Sequence, residues 1–299
     1  MKPTPIEVKY RAPSLSVFLT VLAIMGLVQF YGSAAFAAPS CSQVFADSSK
    51  AISNLPSGRA IDFKAYSAEP EAMALYNVFF QKSKQAHLTG TGGMALGSVY
   101  SHVEYLNSTL RLLQPTHPLH KLSELELASL VEYSEWGYQN VNTYLWNPKK
   151  AQLSAEESKM AEARILMIVS ALNKLPTYKG IVYRGDFISF QSAFKEAHKY
   201  YDSLPEVGGI HTFLGFTSTT EGKSPASRKE YIENAALSYV IKSKSGRSIK
   251  DASTRKNEEE EVLFLPQSKF RVIKKERVPV EPTDEYPFTE RFVIHLEEI

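Results

Sequence analysis

Apolar residues recur at helical spacing through the first half of the chain and at strand spacing through the second. Ser67-Ala68-Glu69-Pro70-Glu71 supplies an N-cap and a helix-compatible proline. The run from Ala72 to Phe80 continues that helix with apolar positions at a 3.6-residue period. Leu88 to Gly93 reads as a loop. It lacks both the preceding strand and the Gly-Lys-Ser/Thr ending of a phosphate cradle. Ser123-Glu124-Leu125-Glu126 is a capping-box start to a helix carrying Leu127, Leu130, Val131 and Tyr133. Ser154-Ala155-Glu156-Glu157 opens another, with Met160, Ala163, Ile165, Leu166, Ile168 and Val169, and Leu175-Pro176 marks its end.

From Lys179 the period shortens. Gly180 to Gly185, Gly215 to Thr220, Ala236 to Ile241, Val262 to Leu265, Lys269 to Ile273 and Arg291 to Leu296 read as strands. Helices first and strands later predict an α+β fold, and the spacing is too short and irregular for repeated βαβ units.

The N-terminus follows a different pattern. Lys2, Lys9 and Arg11 precede an apolar stretch from Leu15 to Phe30, and Ala35-Phe36-Ala37 resembles a small-x-small cleavage site. That order predicts a secretory signal peptide over residues 1–37, removed after Ala37, and an exported product. No stable membrane span is expected after cleavage. The remaining residues 38–299 are expected to form a single domain, with a helical front over about 60–175 and a strand-rich core over about 179–299.

Charge and cysteine content narrow the class. The chain has 34 basic and 32 acidic side chains; without Lys2, Lys9, Arg11 and Glu7 it carries 31 of each. Net charge therefore lends nucleic-acid binding no support. The one cysteine, Cys41, cannot form an internal disulfide, which suits a bacterial exported protein better than a secreted animal domain.

Three segments carry candidate chemistry. Val182-Tyr183-Arg184-Gly185 places a guanidinium at a strand end, where its planar donor fork can meet phosphate oxygens, and Gly185 admits close backbone approach. Ser218-Thr219-Thr220 offers hydroxyls to a carboxylate or a ribose. Glu258-Glu259-Glu260-Glu261 runs straight into Val262-Leu263-Phe264-Leu265. In extended backbone, Glu259 and Glu261 share one face and Glu258 and Glu260 the other. Breaking an N-glycosidic bond builds positive charge on the sugar, which a fixed carboxylate stabilises, while a second carboxylate can deprotonate or orient a nucleophile.

In this order the three segments resemble the mono-ADP-ribosyltransferase toxins of the arginine, serine, Glu-x-Glu class. The resemblance covers about Ser123 to Ile299, and Tyr133, Tyr138 and Asn142 resemble that family's helical tyrosine–asparagine segment. It implies an α+β core of two mixed or antiparallel sheets behind the N-terminal helices. It also implies an enzyme that moves ADP-ribose from NAD to an arginine of a host protein, with some NAD hydrolysis, as a monomer and without a metal. Arg184 would then bind the NAD phosphates, and the backbone of Gly185 would hold the nicotinamide amide. Ser218 would steady the catalytic glutamate. Glu261, the acid directly before Val262-Leu263, would stabilise the oxocarbenium ribose, and Glu259 would engage the acceptor. A register one residue earlier would select Glu258 and Glu260 instead. Tyr133, Tyr138, Asn142 and Thr219 would line the NAD cleft, Arg228 would contact a phosphate, and Ser245 to Glu258 would present the acceptor. Water as the main acceptor, or NAD binding without turnover, are the alternatives.

Overall fold

Two capping boxes organise the helical half. A computed structural model describes Leu55 and residues 61–89, 93–149, 151–188, 191–228, 232–253, 260–283 and 288–299. The expected signal peptide, Cys41 and the Thr254–Glu259 stretch, including Glu258 and Glu259, lie outside the described residues. Helices α1 (Pro70–Thr89) and α2 (Gly93–Leu110) come first. The expected loop at Leu88 and Thr89 is instead the last turn of α1. A short 3-10 turn (Pro118–Lys121) leads to α3 (Glu124–Glu132), a π turn (Tyr133–Gly137), α4 (Tyr138–Trp146) and α5 (Ala155–Lys174). Ser123 caps α3 and Ser154 caps α5, each paired reciprocally with the glutamate three residues on, Glu126 and Glu157.

Glu126 does more than cap. Its buried carboxylate also accepts from Ser170 Oγ at 2.6 Å and from Lys174 Nζ at 2.6 Å, which ties α3 to α5. Burial alone would raise its pKa, but Lys174, Ser170 and Ser123 together hold it below the usual carboxylate value. Helix α5 is buried on all sides from Ile165 to Leu172, which makes it the centre of the helical layer.

The second half is one continuous, mixed strand network. Its strands are β1 (Thr177–Ile188), β2 (Ile210–Phe213), β3 (Thr217–Thr220), β4 (Ala235–Ser248), β5 (Glu261–Phe264), β6 (Ser268–Pro279) and β7 (Glu290–Glu298). They run β1-β3-β5-β4-β7-β6-β2, with β1 also paired along β4. The long strands form one part of the network. The short β3–β5 ladder forms the other, joined to β1 at Tyr183–Thr220 and to β4 at Arg247–Leu263 and Ser248–Val262. Among the described strands, only β4 and β7 run parallel. The α+β expectation holds, with the helical region ahead of a mixed sheet. Helix α6 (Gln191–Ser203), absent from the pattern reading, covers the sheet through Ala197 and Tyr201, the latter packed 4.8 Å from Phe292.

Strand β5 divides two apolar clusters. Leu263 belongs to the helical cluster with Phe216, Ile249 and Ala252, while Val262 and Phe264 belong to the sheet cluster. That alternation follows from the two-residue strand period. It puts Glu261, two residues before Leu263, on the side facing the helices. Arg247 closes the joint from β4: its Nε donates to the carbonyl of Leu172, near the end of α5, at 3.1 Å.

Candidate active site

Strand pairing brings the three sequence segments side by side. Thr220 on β3 stands opposite Tyr183 on β1 and Glu261 on β5. Arg184 and Ser218 therefore sit on adjacent strands, and Ser218 lies one diagonal step from Glu261.

Ser218 joins the cation to the carboxylate. Its carbonyl oxygen accepts from Arg184 Nη1 at 3.1 Å, and its hydroxyl donates to Glu261 Oε1 at 2.6 Å. Glu261 is 4 % exposed. The backbone carbonyl of Glu261 accepts from the Ile249 N–H at 3.0 Å, so the strand carrying the acid is anchored from the β4 side as well.

Arg184 is held by more than Ser218. Its Nη2 pairs with Asp186 Oδ1 at 2.7 Å. Asp186 is two residues along the same strand, on the same face, a relation the sequence contained but its reading passed over. Burial works against the guanidinium charge, but Asp186, together with Tyr239 and Tyr133, outweighs it, so the arginine pKa is raised. The guanidinium also lies 5.9 Å from the Phe213 ring. Gly185, next on β1, is half-buried and paired with Ser238.

The helical residues stand behind the acid. Tyr133 is buried at the start of the π turn, and its hydroxyl pKa is pushed well up, first by burial and then by the charge of Glu261. Asn142 is 5 % exposed and spends its amide on the backbone of Phe216, accepting from the N–H at 2.9 Å and donating to the carbonyl at 3.2 Å. It therefore anchors the approach to β3. Gly215 is required beside it, because a Cβ there would stand 2.6 Å from Asn142 Oδ1 and 2.7 Å from Trp146 Nε1. Tyr138, by contrast, is exposed, with its ring 6.4 Å from Tyr133 at a steep angle.

Thr219, Arg228 and the stretch from Ser245 each have surroundings of their own. Thr219 is buried with its hydroxyl donated to the Val262 carbonyl at 2.6 Å, so it fastens β3 to β5. Arg228 ends the short helix α7 (Pro225–Arg228) and is exposed. Of the Ser245 to Glu258 stretch expected to present an acceptor, Ser245 to Ser248 belong to β4. Glu260, the acid next to Glu261, is half-buried: its Oε2 accepts from the backbone N–H of Lys223 at 2.6 Å and of Ser224 at 3.2 Å. It pins the loop after β3 at the head of α7. In that loop Gly222 has φ +66°, and a Cβ would meet the Tyr183 ring at 2.8 Å.

The sequence model of the ADP-ribosyltransferase exoenzyme family matches residues 106–290, more than half of the chain. Mav of Mycobacterium avium, named an NAD(+)–arginine ADP-ribosyltransferase, is 31% identical over 158 residues, which cover 53% of this chain and 17% of Mav. Vis of Vibrio splendidus, named likewise, is 29% identical over 160 residues, covering 51% of this chain and 59% of Vis. The chain thus spans less than two thirds of either relative. The crystal structure of the ADP-ribosyltransferase HopU1 of Pseudomonas syringae shares the fold at a TM-score of 0.54 and 18% identity, over 78% of this chain and 99% of HopU1. The chain belongs to the ADP-ribosyltransferase exoenzyme family.

Proposed function

We propose that this chain transfers ADP-ribose from NAD to an arginine side chain of a host protein and releases nicotinamide. The observation that carries the reading is the single residue Ser218, whose carbonyl holds the Arg184 guanidinium and whose hydroxyl holds Glu261. A guanidinium has five N–H donors, and Ser218 and Asp186 take one from each terminal nitrogen, leaving a second on each for a diphosphate. The C1′–nicotinamide bond breaks with its electron pair leaving on neutral nicotinamide. Glu261 faces the resulting oxocarbenium charge, oriented by Ser218. A guanidino nitrogen of the acceptor forms the new bond to C1′ and gives up a proton, for which Glu259 is the proposed base. Arginine as the acceptor rests on Glu259 and on the names of Mav and Vis. Tyr138 and Arg228, both exposed, are proposed to border the NAD cleft, and the backbone of Gly185 to hold the nicotinamide amide. The basic and apolar N-terminal stretch supports export, with residues 38–299 as one catalytic domain acting in a target cell.

The test is incubation of the purified chain with labelled NAD and either agmatine or a eukaryotic cell lysate, with Glu261→Gln as control. Label on agmatine or on protein arginine, lost in the control, is the expected result. Label found only as free ADP-ribose would replace transfer by hydrolysis, and no release of nicotinamide under any condition would sink the reading.

A further inference from the structure

Two buried nitrogens of neighbouring side chains lack a hydrogen-bond partner among the described residues: Arg184 Nε and His211 Nε2. His211 is 7 % exposed on β2, a strand whose one ladder among the described residues is with β6, at the far end of the strand order. Its ring nonetheless comes under the Arg184 site. It stands edge-on to Phe213 at 4.5 Å and stacks on Tyr239 at 6.1 Å. Phe213 is the ring that faces the Arg184 guanidinium, and Tyr239 is the cross-strand partner of Arg184. Arg184 and His211 thus pack around the same two aromatic rings.

We infer that His211 is a positioning residue for Arg184: its unprotonated Nε2 is the acceptor for the buried Nε–H of the guanidinium when an anionic ligand takes the outer N–H groups. The inference rests on the proposed role of Arg184 in binding the NAD diphosphate. Three features of the surroundings support it. A histidine enclosed by Phe213 and Tyr239 is poorly solvated and stays neutral; its pKa is held down at about 4, first by burial and then by the Arg184 charge. A neutral imidazole has one acceptor nitrogen, and a guanidinium has only donors, so the two orphaned atoms are complementary. The outer side of Arg184 already has fixed partners in the Ser218 carbonyl and the Asp186 carboxylate, so Nε is the one nitrogen not yet tied to the protein. An arginine fixed at all three nitrogens keeps its fork aimed at the diphosphate. One free to rotate about its last bonds presents that fork only part of the time.

Steady-state release of nicotinamide from NAD tests this in the whole chain. His211→Phe keeps the ring and removes the acceptor; it is expected to raise KM for NAD about 5- to 10-fold and change kcat less than about 2-fold. His211→Gln, whose amide oxygen reaches about as far as Nε2, is expected to restore KM to within about 2-fold of the parent. An unchanged KM in His211→Phe, or a glutamine variant no better than the phenylalanine one, overturns the proposal. In the parent protein labelled with 15N-histidine, Nε2 of His211 is expected to be unprotonated at neutral pH and to show a hydrogen-bond shift on adding ADP-ribose. A proton on Nε2, or no response to ADP-ribose in a protein that binds it, also overturns the proposal and needs no folded variant. A parent chain that neither binds nor consumes NAD would defeat the proposed function itself, an outcome separate from any difference between variants.

Discussion

The side chain of Asn142 closes both backbone hydrogen bonds of Phe216, from a position 74 residues earlier in the chain. The amide substitutes for a strand neighbour at the residue just before β3, where the ladder among the described residues starts only at Thr217. Through this one contact the helical layer sets where Ser218 begins its approach to Glu261.

Asn142→Ala should therefore cost about 3 kcal/mol of stability, since two buried backbone groups lose their partners. It should also slow nicotinamide release, because β3 shifts. Urea denaturation followed by Trp fluorescence measures the first effect. A variant as stable as the parent would mean that water replaces the amide without loss.

Ser218→Ala removes the hydroxyl that holds Glu261 but leaves the carbonyl that holds Arg184. We expect kcat for nicotinamide release to fall about 10- to 100-fold with KM for NAD little changed. Glu261→Gln should reduce kcat at least about 1,000-fold. Equal losses in KM and kcat for Ser218→Ala would show instead that the serine contributes to binding.

Asp186→Asn leaves the buried guanidinium of Arg184 without its counter-charge. Both side chains are less than one quarter exposed, so solvent screens the pair only in part. The loss should be about 2 kcal/mol in chemical denaturation and should persist in high salt, unlike that of a surface pair.

Acid stability should carry the signature of His211. Its folded-state pKa of about 4 lies below the unfolded value near 6.5, so the unfolded chain binds the extra proton first. Its contribution, at most about 3 kcal/mol, is fully present above pH 6.5 and is lost as pH falls toward 4. The groups around it are Arg184 on β1, which opposes protonation, and Tyr239 on β4, whose raised pKa keeps it neutral over this range. Plots of denaturation free energy against pH for the parent and His211→Phe should diverge between pH 4 and 6.5, the parent falling more steeply. Parallel curves would mean that His211 titrates normally.

Glu260→Ala frees the backbone N–H groups of Lys223 and Ser224 at the head of α7. The expected cost is about 1 kcal/mol, similar to the loss of an N-cap. Hydrogen exchange should quicken over residues 221–224 and leave the β1–β4 ladder unchanged.

Much of the local structure was legible in the chain itself. Ser123 with Glu126, and Ser154 with Glu157, announced both helix starts, because a capping box is a contact between residues three apart. The two-residue strand period was enough to put Glu261 and Leu263 on one face and Val262 and Phe264 on the other, which is how β5 separates the two clusters. The order arginine, serine-threonine-threonine, glutamate was readable too, as was the family it resembles. Helix α6 was not, since its apolar positions at Ala197 and Tyr201 make sense only against a sheet already in place.

The sequence by itself determined the types of the main helices and strands, the faces of β5 and the identity of the chemical groups, since these depend on neighbours within a few residues. Only the tertiary structure decided which groups meet. Strand pairing set β1, β3 and β5 in adjacent positions, so that Arg184, Ser218 and Glu261 form one chain of contacts. Packing of the β2 side chains put Phe213 against the Arg184 guanidinium and His211 against Phe213. Packing likewise turned Asn142 and Thr219 inward, where their polar atoms had to find backbone partners. Local period cannot encode such meetings, because they follow from where apolar area is buried and which buried polar groups are left to be satisfied across tens of residues.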